Sequence, residues 1–197
     1  LPLRYKSARN ASEKQRIGAA AAQLLGRAKV VGLNGGTTTT EVARALAAEA
    51  AGDGRASKQR TITVVTNAVN IAGELAVRPN VKIVLTGGVA RAQTYELVGP
   101  LSRLVLAELS LDIAFIGVDG VDESGASAHD EDEADINRLM ACRARRVVVV
   151  ADSSKLQHRS FAHICDLDRI DVLITDSGAE PAVAEAFTAH GVEVVRA

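Results

Sequence analysis

The chain has 197 residues, a formal net charge of -1, 47% hydrophobic residues and 3% aromatic residues, with no tryptophan. That apolar content excludes a disordered chain and suffices for one α/β domain whose core is Val, Ile, Leu and Ala, as a parallel sheet under helices requires. A near-neutral balance without a long basic run excludes an electrostatic footprint for DNA or RNA, and the scarce aromatics argue against base stacking.

Leu1–Asn10 is polar and irregular. Ser12-Glu13-Lys14-Gln15 has the form of a capping box, and Ile17, Ala20, Ala21, Leu24 and Leu25 continue at helical spacing to Gly26. Lys29–Leu33 is the first predicted strand and Thr38–Ala50 the next helix, with Val42, Ala45 and Leu46 on one face. Gly52–Arg60, rich in Gly, Ser and charge, is a surface insertion within the domain. Strand Thr61–Val65, helix Asn67–Val77 and strand Val81–Thr86 follow, the helix stopped by Arg78-Pro79-Asn80. Val98–Leu109 is amphipathic with Pro100 in its first turn, and Leu111–Val118 is a strand. Glu131–Arg145 is a helix with acids at its start and arginines at its end, complementing the dipole. Strands Arg146–Ala151, Asp171–Thr175 and Val192–Val195 complete the pattern, with helix Pro181–Ala189 between the last two. This alternation predicts an α/β fold, a mostly parallel sheet with helices on both faces.

Val30-Val31-Gly32-Leu33-Asn34-Gly35-Gly36-Thr37-Thr38-Thr39-Thr40 carries the strongest chemical signal. A buried strand, a glycine turn and a helix start leave unpaired N–H groups at the positive end of a helix dipole, a place for an anion. Gly35 and Gly36 would let a phosphate approach the backbone, and the threonine hydroxyls would add donors. Other strand ends also carry small or polar residues: Thr66-Asn67, Thr86-Gly87-Gly88, Gly117-Val118-Asp119-Gly120 and Asp152-Ser153-Ser154-Lys155. Ligands of open α/β sheets bind at this rim, so these ends can converge on one pocket. Asn67 suits either an N-cap or a ligand contact. Asp119 is favoured for ligand hydroxyls or acid–base work, whereas Asp122 suits a turn. Lys155 can meet a phosphate as a point charge. His129 to Asp135 is the acidic first turn of a helix; no metal is expected, though Glu133 can point into the pocket.

Cys142 and Cys165 lack a CxxC spacing and read as reduced thiols of a cytoplasmic protein. The apolar runs fall far short of a membrane span, so no membrane partner is expected. Leu1 in place of Met suggests a processed product or an excised fragment.

In order, Glu13-Lys14 with Ile17-Gly18-Ala19-Ala20, Gly36-Thr37-Thr38-Thr39, Thr66-Asn67-Ala68, Gly87-Gly88, Gly99-Pro100, the strand Asp112–Gly117, Glu133-Ala134 to Met140, Asp152-Ser153-Ser154-Lys155 and Ile174-Thr175-Asp176 resemble the effector-binding domain of the DeoR family of bacterial transcriptional regulators. The resemblance runs nearly end to end. It implies a sugar-phosphate isomerase / CoA-transferase-like fold turned into a sensor, with residues 1–197 as one effector-sensing domain. A winged helix-turn-helix in the full protein would bind DNA. The effector implied is a phosphorylated sugar or related metabolite. Its phosphate would rest on Gly36, Thr37, Thr38 and Thr39 with Lys155 as charge partner, and Asn67, Asp119 and Glu133 would recognise hydroxyl or carbonyl groups. Asn34, Gly35, Thr66, Gly87, Gly88, Gly120 and Asn137 complete the expected effector site.

Three positions depart from the family pattern: Asn34 replaces the usual acid, Gly35 a different small residue, and Asn137 a common lysine. The segment Gly52–Lys58 looks inserted. The resulting expectation is a cytoplasmic, homo-oligomeric (dimer or tetramer) regulator of sugar metabolism, acting as a repressor, with no catalytic residue and no cofactor. The rival is an aldose–ketose sugar-phosphate isomerase using Asp119 and Glu133. A third, weaker reading is an oligomerisation module with a vestigial pocket.

Overall fold

A computed structural model describes residues 8–52 and 60–197, so most of the expected insertion and of the irregular start lies outside the described residues. In chain order, α1 (Ala11–Gln23), β1 (Val30–Leu33), α2 (Thr37–Ala51), β2 (Ile62–Thr66), α3 (Val69–Leu75) and β3 (Val81–Leu85) come first. A hairpin of β4 (Val89–Ala90) and β5 (Leu97–Val98) precedes α4 (Pro100–Ala107) and β6 (Leu111–Gly117). β7 (Gly120–Asp122), β8 (Gly125–Ala128), α5 (Glu131–Arg143), β9 (Ala144–Val150) and β10 (Ala162–Cys165) lead to β11 (Val172–Thr175), α6 (Pro181–Ala189) and β12 (Glu193–Arg196).

Seven strands form one parallel sheet in the order β12-β11-β9-β6-β1-β2-β3. Both faces are covered, so the central strands are continuous apolar runs whose alternate residues serve opposite cores. In β6, Ile113 and Phe115 join Val31, Leu33 and Val148 beneath α1, α2 and α3. Ala114 and Ile116 face the other way, against Leu106 of α4 and Ile136 and Met140 of α5. A third apolar cluster under α6 includes Val149, Leu173, Val183 and Phe187.

The parallel sheet and its covering helices match the sequence pattern. Two small antiparallel units do not appear in it: the β4–β5 hairpin and a sheet of order β10-β8-β7. Three helix starts also differ. Asn10, not Ser12, stands at the N-cap position of α1, without a side-chain cap, and the Ser12 hydroxyl bonds Glu13 at 2.9 Å instead of forming a capping box. Ala68, not Asn67, precedes α3, which spans only Val69–Leu75. The amphipathic segment is helical only over Pro100–Ala107.

From β1 the chain passes through α2 to β2 on one side, while β6 pairs with β1 on the other. The strand order therefore reverses at β1, and a crevice opens beyond the carboxyl ends of β1 and β6.

Candidate functional site

A cavity of about 300 Å³ occupies that crevice. It is lined by the ends of β1 and β6, the start of α2, the acidic end of α5, the β4–β5 hairpin, the start of α1 and the turn after β9. Of the residues expected at the site, Asn34, Gly35, Gly36, Thr37, Thr38, Asp119, Glu133, Asn137 and Lys155 line it; Thr39, Thr66, Asn67, Gly87, Gly88 and Gly120 do not.

The split between β1 and β6 is closed by a side chain. Asn34 Nδ2 donates to the Gly117 carbonyl at 2.9 Å, and the Gly117 N–H donates to Asn34 Oδ1 at 2.8 Å. The buried Asn34 amide thus continues the strand ladder and is spent on the backbone. The next N–H, of Gly35, donates to Glu96 Oε1 at 2.7 Å. A Cβ on Gly35 would lie 2.2 Å from Glu96 Cγ, so this glycine makes room for a carboxylate of the protein and not, as expected, for a phosphate. Gly36 turns the chain into α2 at φ 135°, a conformation that favours glycine.

No side chain caps α2. The Thr39 and Thr40 hydroxyls bond back to the Gly36 carbonyl, at 3.1 and 2.7 Å. Thr39 is fully buried, its methyl against Gly117, which removes it from the expected ligand contacts. The first-turn N–H groups of α2, at Thr37 and Thr38 beside the cavity, have no intrahelical acceptor and remain open to an anion.

Thr66, Asn67, Gly87 and Gly88 lie outside the cavity lining and make contacts that seat the hairpin. Thr66 Oγ1 accepts the Ala68 N–H at 3.0 Å. Asn67 Nδ2 donates to the Leu97 carbonyl at 3.2 Å, and the Leu97 N–H returns to the Asn67 carbonyl at 2.7 Å. The Gly87 carbonyl accepts from the Ser102 hydroxyl, and a Cβ on Gly88 would lie 2.6 Å from the Val98 carbonyl oxygen. These contacts fix the loop that carries Arg91, Thr94 and Glu96. Gly120 belongs to β7 and packs on the backbone of His158, outside the cavity.

Cations and carboxylates enter the cavity from different elements. Lys14, on α1, is buried and donates to the Arg9 carbonyl; the ammonium of half-buried Lys155 makes no hydrogen bond or ion pair with a described residue. Asn10 Nδ2 donates to Asp152 Oδ1 at 3.1 Å and ties the start of α1 to the turn bearing Lys155. The carboxylates are Glu96 from the hairpin, Glu133 from α5, Asp119 beyond β6 and Asp152 from the turn after β9. Asp130 caps α5 by accepting the N–H groups of Asp132 and Glu133, both at 3.1 Å, which aligns Glu133 with the cavity. Thr94 Oγ1 donates to Glu133 Oε1 at 2.8 Å. Asp119 Oδ2 accepts the His129 N–H at 3.0 Å. Asp122 closes the β7–β8 turn, accepting the Ser124 N–H at 2.9 Å.

Burial pushes the Glu96 carboxyl well above the usual carboxylate range, and the negative charge of Glu133 adds to it; the Gly35 N–H opposes and does not cancel them. The folded state therefore holds the Glu96 proton more tightly than the unfolded chain does. The resulting contribution to stability is fully present below the ordinary carboxyl pKa and is lost as pH rises through the elevated native value. Glu96→Gln keeps the acceptor for Gly35 and has no proton to lose. In urea titrations from about pH 5 to pH 8, the parent should lose stability relative to Glu96→Gln as pH rises. Parallel pH profiles would contradict the assignment.

Sequence reasoning missed Glu96, Thr94, Lys14, Asn10 and Asp152. Lys14 had a usable signal, standing three and seven residues before Ile17 and Ala21 on the buried face of α1. Glu96 had none, because a two-residue strand shows no periodicity.

The profile of the DeoR C terminal sensor domain matches residues 9–177. The HTH-type transcriptional regulator GlpR of Haloferax volcanii is 38% identical over 191 residues, 96% of this chain and 71% of that protein. The HTH-type transcriptional repressor GlcR of Bacillus subtilis is 32% identical over 183 residues, covering 93% of this chain and 67% of the relative. Among solved structures, a ribose 5-phosphate isomerase from Methanocaldococcus jannaschii superposes with a TM-score of 0.51 at 21% identity, over 75% of this chain and 55% of the isomerase. At that identity the likeness is one of fold. The chain spans about two thirds of its curated relatives and about half of the isomerase.

Proposed function

This chain belongs to the DeoR family, as its C-terminal sensor domain, and from that membership we propose that it binds a phosphorylated sugar or related metabolite in the cavity beyond β1 and β6. The observation that carries the proposal is the uncapped start of α2, open to the same cavity as Lys14 and Lys155. A helix N-terminus with two ammonium groups beside it provides both the oriented donors and the charge that a phosphate needs. The carboxylates and Asn137 on α5 face the rest of the ligand.

In this reading the domain works in the cytoplasm as part of a homo-oligomeric repressor of sugar-metabolism genes and touches DNA only through another domain of the full-length protein. The effector prefers one arrangement of the strand-end loops and, through it, one arrangement of the DNA-binding heads, by a real difference in binding free energy. The domain senses and does not catalyse. An aldose–ketose isomerase needs a carboxylate base and a group to stabilise the enediolate, and beside Glu133 the cavity offers the neutral amide of Asn137.

Thermal-shift measurements with phosphorylated and unphosphorylated sugars test the reading. A true ligand at 100 times its Kd stabilises by about 2.7 kcal/mol. Phosphorylated sugars should shift the melting temperature and their unphosphorylated counterparts should not. Equal shifts would remove the phosphate, and turnover of a sugar phosphate would establish the enzyme instead.

A further inference from the structure

We infer that the head of α1 is a latch over the cavity: filling the cavity seats the first turn of α1 on the turn that bears Lys155, and emptying it loosens that turn at Asn10. The inference rests on the phosphate reading above and adds its regulation.

The chain kinks at Asn10, in a left-handed conformation of φ 54° and ψ 41°, directly before Ala11. Asparagine tolerates that conformation better than most side chains, because its short amide can bond locally. Here the amide instead reaches across the molecule. Its Nδ2 donates to Asp152 Oδ1 at 3.1 Å, 142 residues away in the chain.

The two sides of this bond are held differently. Asp152 is buried and accepts the Ser154 N–H at 3.2 Å, while the Ser153 N–H donates to Asp176 Oδ1 at 2.6 Å, so the Lys155 turn is fixed. On α1 the firm point is Gly18. A Cβ there would lie 2.8 Å from the Glu41 carbonyl oxygen, which puts the backbones of α1 and α2 in contact. The helix ahead of Gly18 is exposed at Ala11, Ser12, Gln15 and Arg16. The head of α1 is thus a short arm, anchored at Gly18 and fastened at Asn10.

The arm forms one wall of the cavity. Arg9, Asn10 and Lys14 line it on that side, and Asp152, Ser154 and Lys155 line it on the other. Lys14 gives a hydrogen bond to the Arg9 carbonyl, and an ammonium has three to give. An anion at the start of α2 attracts Lys14 and Lys155 together, from opposite sides of the Asn10–Asp152 bond, and so closes the arm. By reciprocity, whatever pulls the arm open weakens the anion. The matched sensor domain begins at Arg9, and a C-terminal sensor domain joins the rest of its protein at its amino end. The kink therefore lies where a change in the cavity redirects the chain leading to the DNA-binding domain.

Amide hydrogen exchange on this chain, read residue by residue by NMR with inorganic phosphate and with glucose 6-phosphate, tests the latch. The Lys14 N–H, which donates to the Asn10 carbonyl at 3.1 Å, reports on the arm; the Thr37 and Thr38 amide signals report on the phosphate. Asn10→Gly keeps the left-handed kink and removes the side chain. In the free domain it should speed exchange of the Lys14 amide about fivefold, as expected for the loss of one hydrogen bond. In the parent, either phosphate compound should slow that exchange about fivefold or more. In Asn10→Gly the slowing should largely disappear while Thr37 and Thr38 still respond. Phosphate that shifts Thr37 and Thr38 but leaves the Lys14 amide unchanged overturns the latch and leaves the phosphate reading standing. An Asn10→Gly protein that behaves as the parent does also overturns the latch. A slowed Lys14 amide with silent Thr37 and Thr38 signals supports the latch and moves the phosphate away from α2. Silence at both ends overturns both.

Discussion

Lys155→Ala is expected to weaken phosphorylated ligands by about tenfold or more and to leave unphosphorylated sugars unaffected. A hydrogen bond to a charged group contributes about 1.5–3 kcal/mol. Partial exposure of Lys155 trims that figure through solvent screening, to roughly the 1.4 kcal/mol of a tenfold change. The lysine stands on the short turn Ser153–Lys155, whose shape is set by Asp152 accepting the Ser154 N–H and not by the ammonium. It makes no ion pair with a described residue, so the unliganded domain should keep its melting temperature. Thr38→Ala should cost less, because the backbone N–H at that position survives the substitution. Calorimetric titration reads the difference. Unchanged affinity for the phosphate, or an equal loss for the unphosphorylated sugar, would detach Lys155 from the phosphate.

The second large effect concerns the floor of the site. Asn34→Leu removes both hydrogen bonds across the β1–β6 split and leaves the Gly117 N–H and carbonyl without partners. An unsatisfied buried group costs about 1–3 kcal/mol, and the half-buried Gly117 groups at the cavity wall fall at the low end, so a loss of about 2–3 kcal/mol is expected, a large share of the stability of a domain this size. Asn34→Asp keeps the acceptor for the Gly117 N–H and loses only the donor, and it should cost roughly half as much. It also adds a carboxylate beside Glu96 and Asp119, so its penalty should grow as pH rises through the carboxylate range. Urea unfolding of the three proteins gives the comparison. A neutral Asn34→Leu would mean that the amide does not bridge the strands.

The parallel sheet was legible in the sequence because its strands are long Val and Ile runs between helices of clear apolar spacing. The rim that holds the cavity followed from that topology, since small and polar residues at successive strand ends must gather at one edge. The antiparallel additions were not legible. β8 is Gly125-Ala126-Ser127-Ala128, fully buried but without a β-branched or aromatic residue, and β4 and β5 have two residues each.

That blind spot had a direct effect on the site. Thr66-Asn67 and Gly87-Gly88 stood out as polar and glycine-rich strand ends, and the structure uses them to seat a hairpin that no periodicity announced. The hairpin in turn delivers Glu96 and Thr94. Local chemistry marks a position as constrained; only the packed fold tells whether the constraint comes from a ligand or from another part of the chain. Thr39 makes the same point within one motif, because its hydroxyl bonds the helix start while Thr37 and Thr38 line the cavity.

A crystal structure of the domain with the tightest phosphorylated sugar from the titrations tests the account most directly. The phosphate should lie on the N–H groups of Thr37 and Thr38 with the Lys155 ammonium beside it, and the far end of the sugar should face Glu133 and Asn137. A phosphate bound away from the start of α2, or a sugar held outside the cavity between β1 and β6, would contradict it.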